Sequence, residues 1–302
     1  MTIPRRFKLP KRLALLAMFS VVVLLQACST IKLGYNNAVD LSYWWLDDYV
    51  DFNEAQTTKV REELDRLHKW HRTVELPKIA ALLQNSRGLL ANDVTAAQVC
   101  LVFAETRTRM EAVSKQAENG IASIATTVTA EQRQRIARKF EKSNAKWREE
   151  WFEGNAEERQ KKRLKASVER AEQLYDSLDD KQIALLRDLD SASSYDAELS
   201  FKERLRRQQD LLQTLSRINP ANAAEKPGPP QALGLYHDWL ERNAKSPDSV
   251  YRDFAEKMTA ESCNSFAAVH NSTTPKQRDR AANRVAAYLR DARELAGITA
   301  LN

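Results

Sequence analysis

The chain predicts an all-α fold, a multi-helix bundle of antiparallel helices, and three features carry that expectation. Glycine supplies only seven of 302 residues, far below the usual ~7%, while 29% are charged. Apolar residues recur at the three-to-four spacing of a helix rather than in the alternation of a strand. Oxygen-bearing residues stand three positions before glutamine where that rhythm restarts, the signature of a capped helix start. The glycine loops that parallel-sheet nucleotide folds require are missing from the sequence.

Residues 1–27 read as a secretory leader. Arg5, Arg6, Lys8, Lys11 and Arg12 supply five positive charges with no acid among them, and Leu13–Leu25 is a 13-residue apolar run broken only by Ser20. A membrane-spanning helix needs roughly 20 such residues, so the run is too short for a permanent span. Leu25-Gln26-Ala27-Cys28 resembles the lipobox that ends the type II signal of bacterial lipoproteins. The resemblance implies a diacylglycerol on the Cys28 thiol, cleavage just before it, and acylation of the new amine. The other reading is an ordinary cleaved signal with an unmodified Cys28. Two or more acyl chains anchor a protein stably, where one does not. Ser29 follows the cysteine where an aspartate would imply inner-membrane retention, so the expected location is the outer membrane, lipid-anchored and facing the periplasm.

Net charge is +6 and the isoelectric point about 9.1, values that invite a nucleic-acid reading. Removing the leader's five basic residues from the 47 leaves 42 against 41 acidic ones. A nearly neutral mature chain lacks the electrostatic footprint of a nucleic-acid binder, and the expectation is no nucleic acid.

Along the chain, residues 28–37 are expected to be a lipidated tether and 38–217 a helical domain. Ala38, Leu41, Trp45, Tyr49 and Phe52 share one helix face. The spacing predicts a second helix over 53–84, kinked or restarted at Pro77 because proline lacks the N–H and its ring crowds the preceding turn. Further helices are predicted over 95–118, 130–152, 156–177, 180–190 and 195–217. Pro220, Pro227, Gly228, Pro229 and Pro230 break any helix and make 218–230 a linker. The segment 231–302 is expected to be helical again, over 232–243, 248–269 and 275–295. Asn53-x-x-Gln56, Thr95-x-x-Gln98, Thr129-x-x-Gln132, Asp179-x-x-Gln182 and Thr274-x-x-Gln277 each fit the capping box, whose loss costs ~1 kcal/mol.

Cys100 and Cys263 remain besides Cys28. In an oxidising compartment they either pair as a disulfide or stand as separate buried thiols. His68 and His71 lie three apart on one helix, but no HExxH pattern or cysteine pair accompanies them, so no metal is expected. Asp47-Asp48 and Glu149-Glu150 are adjacent, and adjacent helical residues diverge. No nucleophile elbow or phosphate loop is present, so neither catalytic residues nor cofactors are expected. The aromatic stretch 43–52 admits two readings, helix packing or an interfacial belt of Trp and Tyr. Residues 131–170 carry thirteen basic and eight acidic side chains, and 38–75 five basic and nine acidic. These two segments either face each other, lie solvated, or attract anionic envelope material.

Val94-Thr95-Ala96-Ala97-Gln98, Val128-Thr129-Ala130-Glu131-Gln132 and Leu178-Asp179-Asp180-Lys181-Gln182 are similar to the LTxxQ motif of small periplasmic stress proteins and chaperones. A longer series comprises the lipobox, Tyr35-Asn36-Asn37, Tyr43-Trp44-Trp45-Leu46-Asp47-Asp48-Tyr49, Gln56, Trp70-His71-Arg72 and Glu75-Leu76-Pro77. That order resembles, over residues 20–215, a family of proteobacterial lipoproteins classified only as a domain of unknown function. It implies a helical fold and an envelope location, and no activity. The expected role is binding of an envelope protein or polymer, with an ATP-independent chaperone or stress sensor as the alternative.

Overall fold

The computed structural model describes residues 30–298, and no strand occurs among them. The helices are α1 (Thr30–Asn36), α2 (Ala38–Val50), α3 (Glu54–Trp70), α4 (Leu76–Leu89), α5 (Ala96–Ala125), α6 (Ala130–Trp151), α7 (Ala156–Tyr175), α8 (Asp180–Ala192), α9 (Ala197–Ile218), α10 (Pro229–Ala244), α11 (Ser249–Asn271) and α12 (Pro275–Leu295). Cys28 lies outside the described residues.

Each capping box named above opens a helix. Asn53, Thr95, Thr129, Asp179 and Thr274 accept from the backbone N–H three residues on, and that residue's glutamine accepts from the cap's own N–H. Asn155 and Glu158 form a sixth box at α7. Four of the glutamines do more. Gln56 and Gln132 donate to each other's Oε1 at 3.1 and 2.7 Å, while Gln56 Nε2 also reaches Thr127 O and Gln132 Nε2 reaches Asp51 O. Gln182 and Gln277 repeat the arrangement at 2.9 Å each way, donating also to Ser272 O and Ser177 O. In both corners each amide satisfies the carbonyl two residues before the partner helix's cap.

The structure departs from the sequence expectation at four places. Residues 30–36 are helical rather than an extended tether, because Tyr35 packs on His68 and Lys32 bonds Glu294. Helix α5 continues past Gly120 to Ala125. A Cβ at Gly120 would stand 2.6 Å from the Glu63 carboxylate, so this glycine permits the close approach of α3 rather than ending a helix. Pro229 and Pro230 open α10, where a missing N–H costs nothing. Finally, Leu41 and Trp45 face outward, and Tyr43 is the buried residue of α2.

The second helix restarts around Pro77, which stands in the first turn of α4. A π turn, His71–Glu75, joins α3 to α4, with Leu76 N–H bonded to His71 O. The wider turn relieves the clash a proline ring makes with the carbonyl four residues back.

Helix α12 lies along α4, α11 along α5, and α9 and α10 pair beside α5 and α6. The segment after the prolines thus packs into the helices before them. Four apolar clusters result, centred on Ile218 and Tyr236, on Tyr175 and Val285, on Leu76 and Leu289, and on Val99 and Cys263.

Gln182 and Gln277 give a test of the corner. Replacing either by alanine leaves the other's amide short of a partner and lowers the unfolding free energy by about 1–3 kcal/mol. In urea denaturation, the double-mutant cycle returns a coupling of about 0.5–3 kcal/mol; strict additivity would show two independent caps.

Candidate functional site

Helix α6 ends in three aromatics, Trp147, Trp151 and Phe152, before Gly154 turns the chain with φ +90°. Asn155 then restarts it as α7. This corner brings α6 against the start of α9. Trp147 stacks on Phe201 with ring centres 5.0 Å apart, Phe152 meets Phe201 edge-on at 5.6 Å, and Trp151 lies 5.4 Å from Tyr195. Arg148 sits over the Phe201 ring at 5.4 Å.

Two open cavities flank this aromatic array. The larger, about 1110 Å³, is walled by Trp151, Phe152, Tyr195 and Phe201 with Arg159 and Lys202 at its rim. The second, about 660 Å³, shares Trp151 and Tyr195 and continues over Leu174, Leu186, Leu189 and Phe266. The Ser193–Tyr195 loop between them is held by Glu261, whose carboxylate accepts from the Ser194 N–H at 3.0 Å and the Ser193 hydroxyl at 3.1 Å. Burial would raise the Glu261 pKa, but the serine hydrogen bonds prevail and hold it below the usual range. Arg163 approaches Asp190 at 3.5 Å, leaving Asp190 Oδ2 without a hydrogen bond at the cavity wall. The two cavities adjoin at Trp151, Ser193 and Tyr195, with aromatic and charged side chains in the lining of both, and together they form the candidate groove.

The remaining polar clusters are mostly satisfied internally, with His68 Nε2 and Arg72 Nε left buried without a hydrogen-bond partner. Glu75, 1% exposed, bonds Lys78 at 2.7 Å and Arg109 at 3.3 Å. Glu203 accepts from Arg206, Arg207 and Ser246, and these bonds, set against burial, lower its pKa. His68 and His71 both face Tyr35, whose hydroxyl lies 2.9 Å from His71 Nδ1. Among the described residues no group of three or more His, Cys, Asp or Glu is placed to hold a metal ion. Asp47 accepts from the Phe52 N–H, and Asp48 pairs with Lys139, so this adjacent pair of acids does not converge. Lys139–Asp48 and Arg135–Asp51 join the basic 131–170 segment to the acidic 38–75 segment.

Cys100 on α5 and Cys263 on α11 form a disulfide, with Cα atoms 5.4 Å apart. His237 bonds Glu118 at 2.8 Å. His270 is wholly buried, with Nδ1 2.9 Å from the Tyr175 hydroxyl and Nε2 2.8 Å from Asn92 O. A carbonyl only accepts, so Nε2 carries the proton and Tyr175 donates to Nδ1.

The sequence reading missed the groove. Trp147 and Trp151 are spaced four apart on one face of α6 and Phe152 follows at its end, but their partners Tyr195 and Phe201 lie far along the chain. A run of aromatics ending a helix at a glycine was the available signal.

Buried His270 and half-buried His68 and His71 point to a pH dependence. Burial, the largest cause, lowers the His270 pKa, as it does for His68 and His71. The unfolded chain takes up protons near pH 6.5 that the folded rings refuse, so stability is full above that pH and falls below it. Urea denaturation should show a lower unfolding free energy at pH 5 than at pH 7.5. The His270→Gln variant, less stable at pH 7.5, should lose less over the same interval; an unchanged slope would remove His270 as a source.

No curated protein and no solved structure matches the chain. A family match begins at residue 48, beyond Cys28 and Tyr35, so it covers the helical body from the end of α2 into the proline-rich segment. That match, to the family of unknown function DUF6279 over residues 48–226, spans more than half of the 302 residues, and the chain belongs to this family.

Proposed function

We propose that this protein is an outer-membrane lipoprotein, acylated at Cys28, whose periplasmic helical body binds an envelope protein or polymer and catalyses nothing. The observation that carries the binding role is the groove over Trp151 and Tyr195. Its larger cavity, about 1110 Å³, matches the upper end of the ~300–1,000 Å³ range of ligand sites and is open to solvent. Aromatic walls offer large rigid contact area, and Arg159, bonded to Gly154 O, and Lys202, paired with Asp248, add positive charge beside them. A disulfide between Cys100 and Cys263 supports export, since such bonds persist in oxidising compartments.

The chaperone alternative leans on the LTxxQ-like pieces. Gln132 and Gln182 spend their amides inside the helix corners, and Gln98 caps its own helix. That motif therefore leaves no side-chain amide of Gln132 or Gln182 for clients, and binding through the groove is the better-supported role.

Two measurements test this reading. Mass spectrometry of the native mature amino terminus should find a triacylated Cys28; a bare sulfur or a retained leader would remove the envelope anchor. A photo-crosslinking residue at Tyr195 in intact cells should capture one defined partner, and Trp151→Ala should reduce that adduct several-fold. Crosslinks absent at Tyr195, yet abundant from a distant exposed site such as Met110, would move the interaction off the groove.

A further inference from the structure

Helices α1 and α2 run nearly without interruption, since Asn37 N–H bonds Leu33 O and Leu41 N–H bonds Asn37 O. Their inner face packs Tyr35 on His68 and His71, and Tyr43 against Phe52 and under Arg61. Their outer face carries Leu33, Leu41, Trp44 and Trp45, which are 62, 49, 61 and 62% exposed. At 100° per residue these four fall within one third of the helix circumference. The stripe is therefore continuous, and it lies opposite the packed side.

Polar groups along this face are already engaged. Asn37 turns its amide back onto Leu33 O, Asp40 pairs with Arg61, and Asp48 pairs with Lys139. Exposed apolar residues elsewhere stand singly, as ordinary surfaces do. Leu101 and Met110 on α5, for example, are nine positions apart and point to opposite sides. The outward stripe of α1 and α2 is the one extended apolar face with two exposed tryptophans among the described residues.

The geometry points to a lipid surface as its occupant: α1 and α2 lie flat on the bilayer, with Trp44 and Trp45 seated at the level of the headgroups. The position of the anchor decides for lipid over a protein partner. The described helix begins at Thr30, two residues after Cys28, a length of chain that spans at most ~7 Å. Acyl chains on Cys28 hold the start of the stripe against the membrane before any other partner can reach it. Indole rings favour that boundary, burying an apolar body while the N–H stays hydrated. A stripe with neutralised acids suits the periplasm-facing leaflet of a mostly zwitterionic membrane, and an amphipathic helix with one apolar face lies in the interface plane. This inference rests on the acylation of Cys28 proposed above.

The native acylated protein, purified from membranes, is reconstituted into phosphatidylethanolamine–phosphatidylglycerol vesicles with brominated acyl chains. Its fluorescence is compared with that of the Trp44→Phe/Trp45→Phe variant, so that the difference reports those two indoles. Bromolipid should remove most of that difference emission, and aqueous iodide should leave it. Leu41→Asp, exposed and so neutral to the fold, should weaken the bromolipid effect at unchanged thermal midpoint. Emission open to iodide and untouched by bromolipid overturns the docking. Shielding from both quenchers overturns it too, because a protein surface then covers the stripe. The mass of the amino terminus reads the anchor separately. Should Cys28 prove bare, the same vesicles added to the free protein still decide: quenching keeps the docked helix, and its absence ends it.

Discussion

The fold turns on two glutamine pairs that close helix corners. A helix start leaves backbone N–H groups without partners, and a corner where two such starts meet inside a protein would bury several at once. Gln56 meets the difficulty with one side chain. Its Oε1 takes the Asn53 N–H and the Gln132 amide, and its Nε2 serves Thr127 O and Gln132 Oε1. Gln132 returns each bond in kind. Gln182 and Gln277 do the same between α8 and α12. Glutamine alone has an acceptor and a two-hydrogen donor at this reach; glutamate in its place would put two carboxylates in contact.

These corners matter because the apolar interior is divided. The four clusters are built from residues as small as Ala80, Ala122, Ala267 and Ala281, and none dominates. Leu83 packs against the second and third of them and Phe266 against the second and fourth, and polar and covalent links add to these apolar ones. Glu75 ties the π turn before α4 to α5 through Arg109, Glu203 ties α9 to the loop before α11 through Ser246, and the Cys100–Cys263 bond ties α5 to α11. Buried ion pairs of this kind do little net work as isolated contacts, but removing one partner strands the other. Such junctions fix which helices meet more than they add to stability.

The same distinction explains what the sequence disclosed. Helix starts were legible because a capping box is a four-residue affair, complete within itself. The reciprocal amides were not, since Gln56 and Gln132 meet across 76 positions and Gln182 and Gln277 across 95. The end predicted for α5 at residue 118 falls short of Ala125, because a glycine such as Gly120 can either stop a helix or make room for a neighbour, and only the position of Glu63 separates the two. The inward face of α2 was misjudged for a related reason. That helix is apolar nearly all round, so periodicity offers two candidate stripes and no means of choosing between Tyr43 and Trp45. The aromatic groove was invisible because its two halves, around Trp151 and Phe201, belong to different helices.

Helix α6 connects the two surfaces that the chain leaves open. Its first half is pinned to α2 and its flank by Lys139–Asp48 and Arg135–Asp51, and its far end supplies Trp147 and Trp151 to the groove. From Lys139 to Trp151 an α-helix rises ~18 Å. Under the lipid-docked arrangement, α6 is therefore a strut with one end near the bilayer and the other at the groove. A tether as short as two residues would otherwise leave the body free to pivot, whereas a flat-lying α1–α2 removes that freedom and gives the groove a fixed position relative to the membrane. The opposite charges of the 38–75 and 131–170 segments acquire a mechanical meaning in this light. They bind the membrane-side helix to the strut, so that whatever holds one also aims the other.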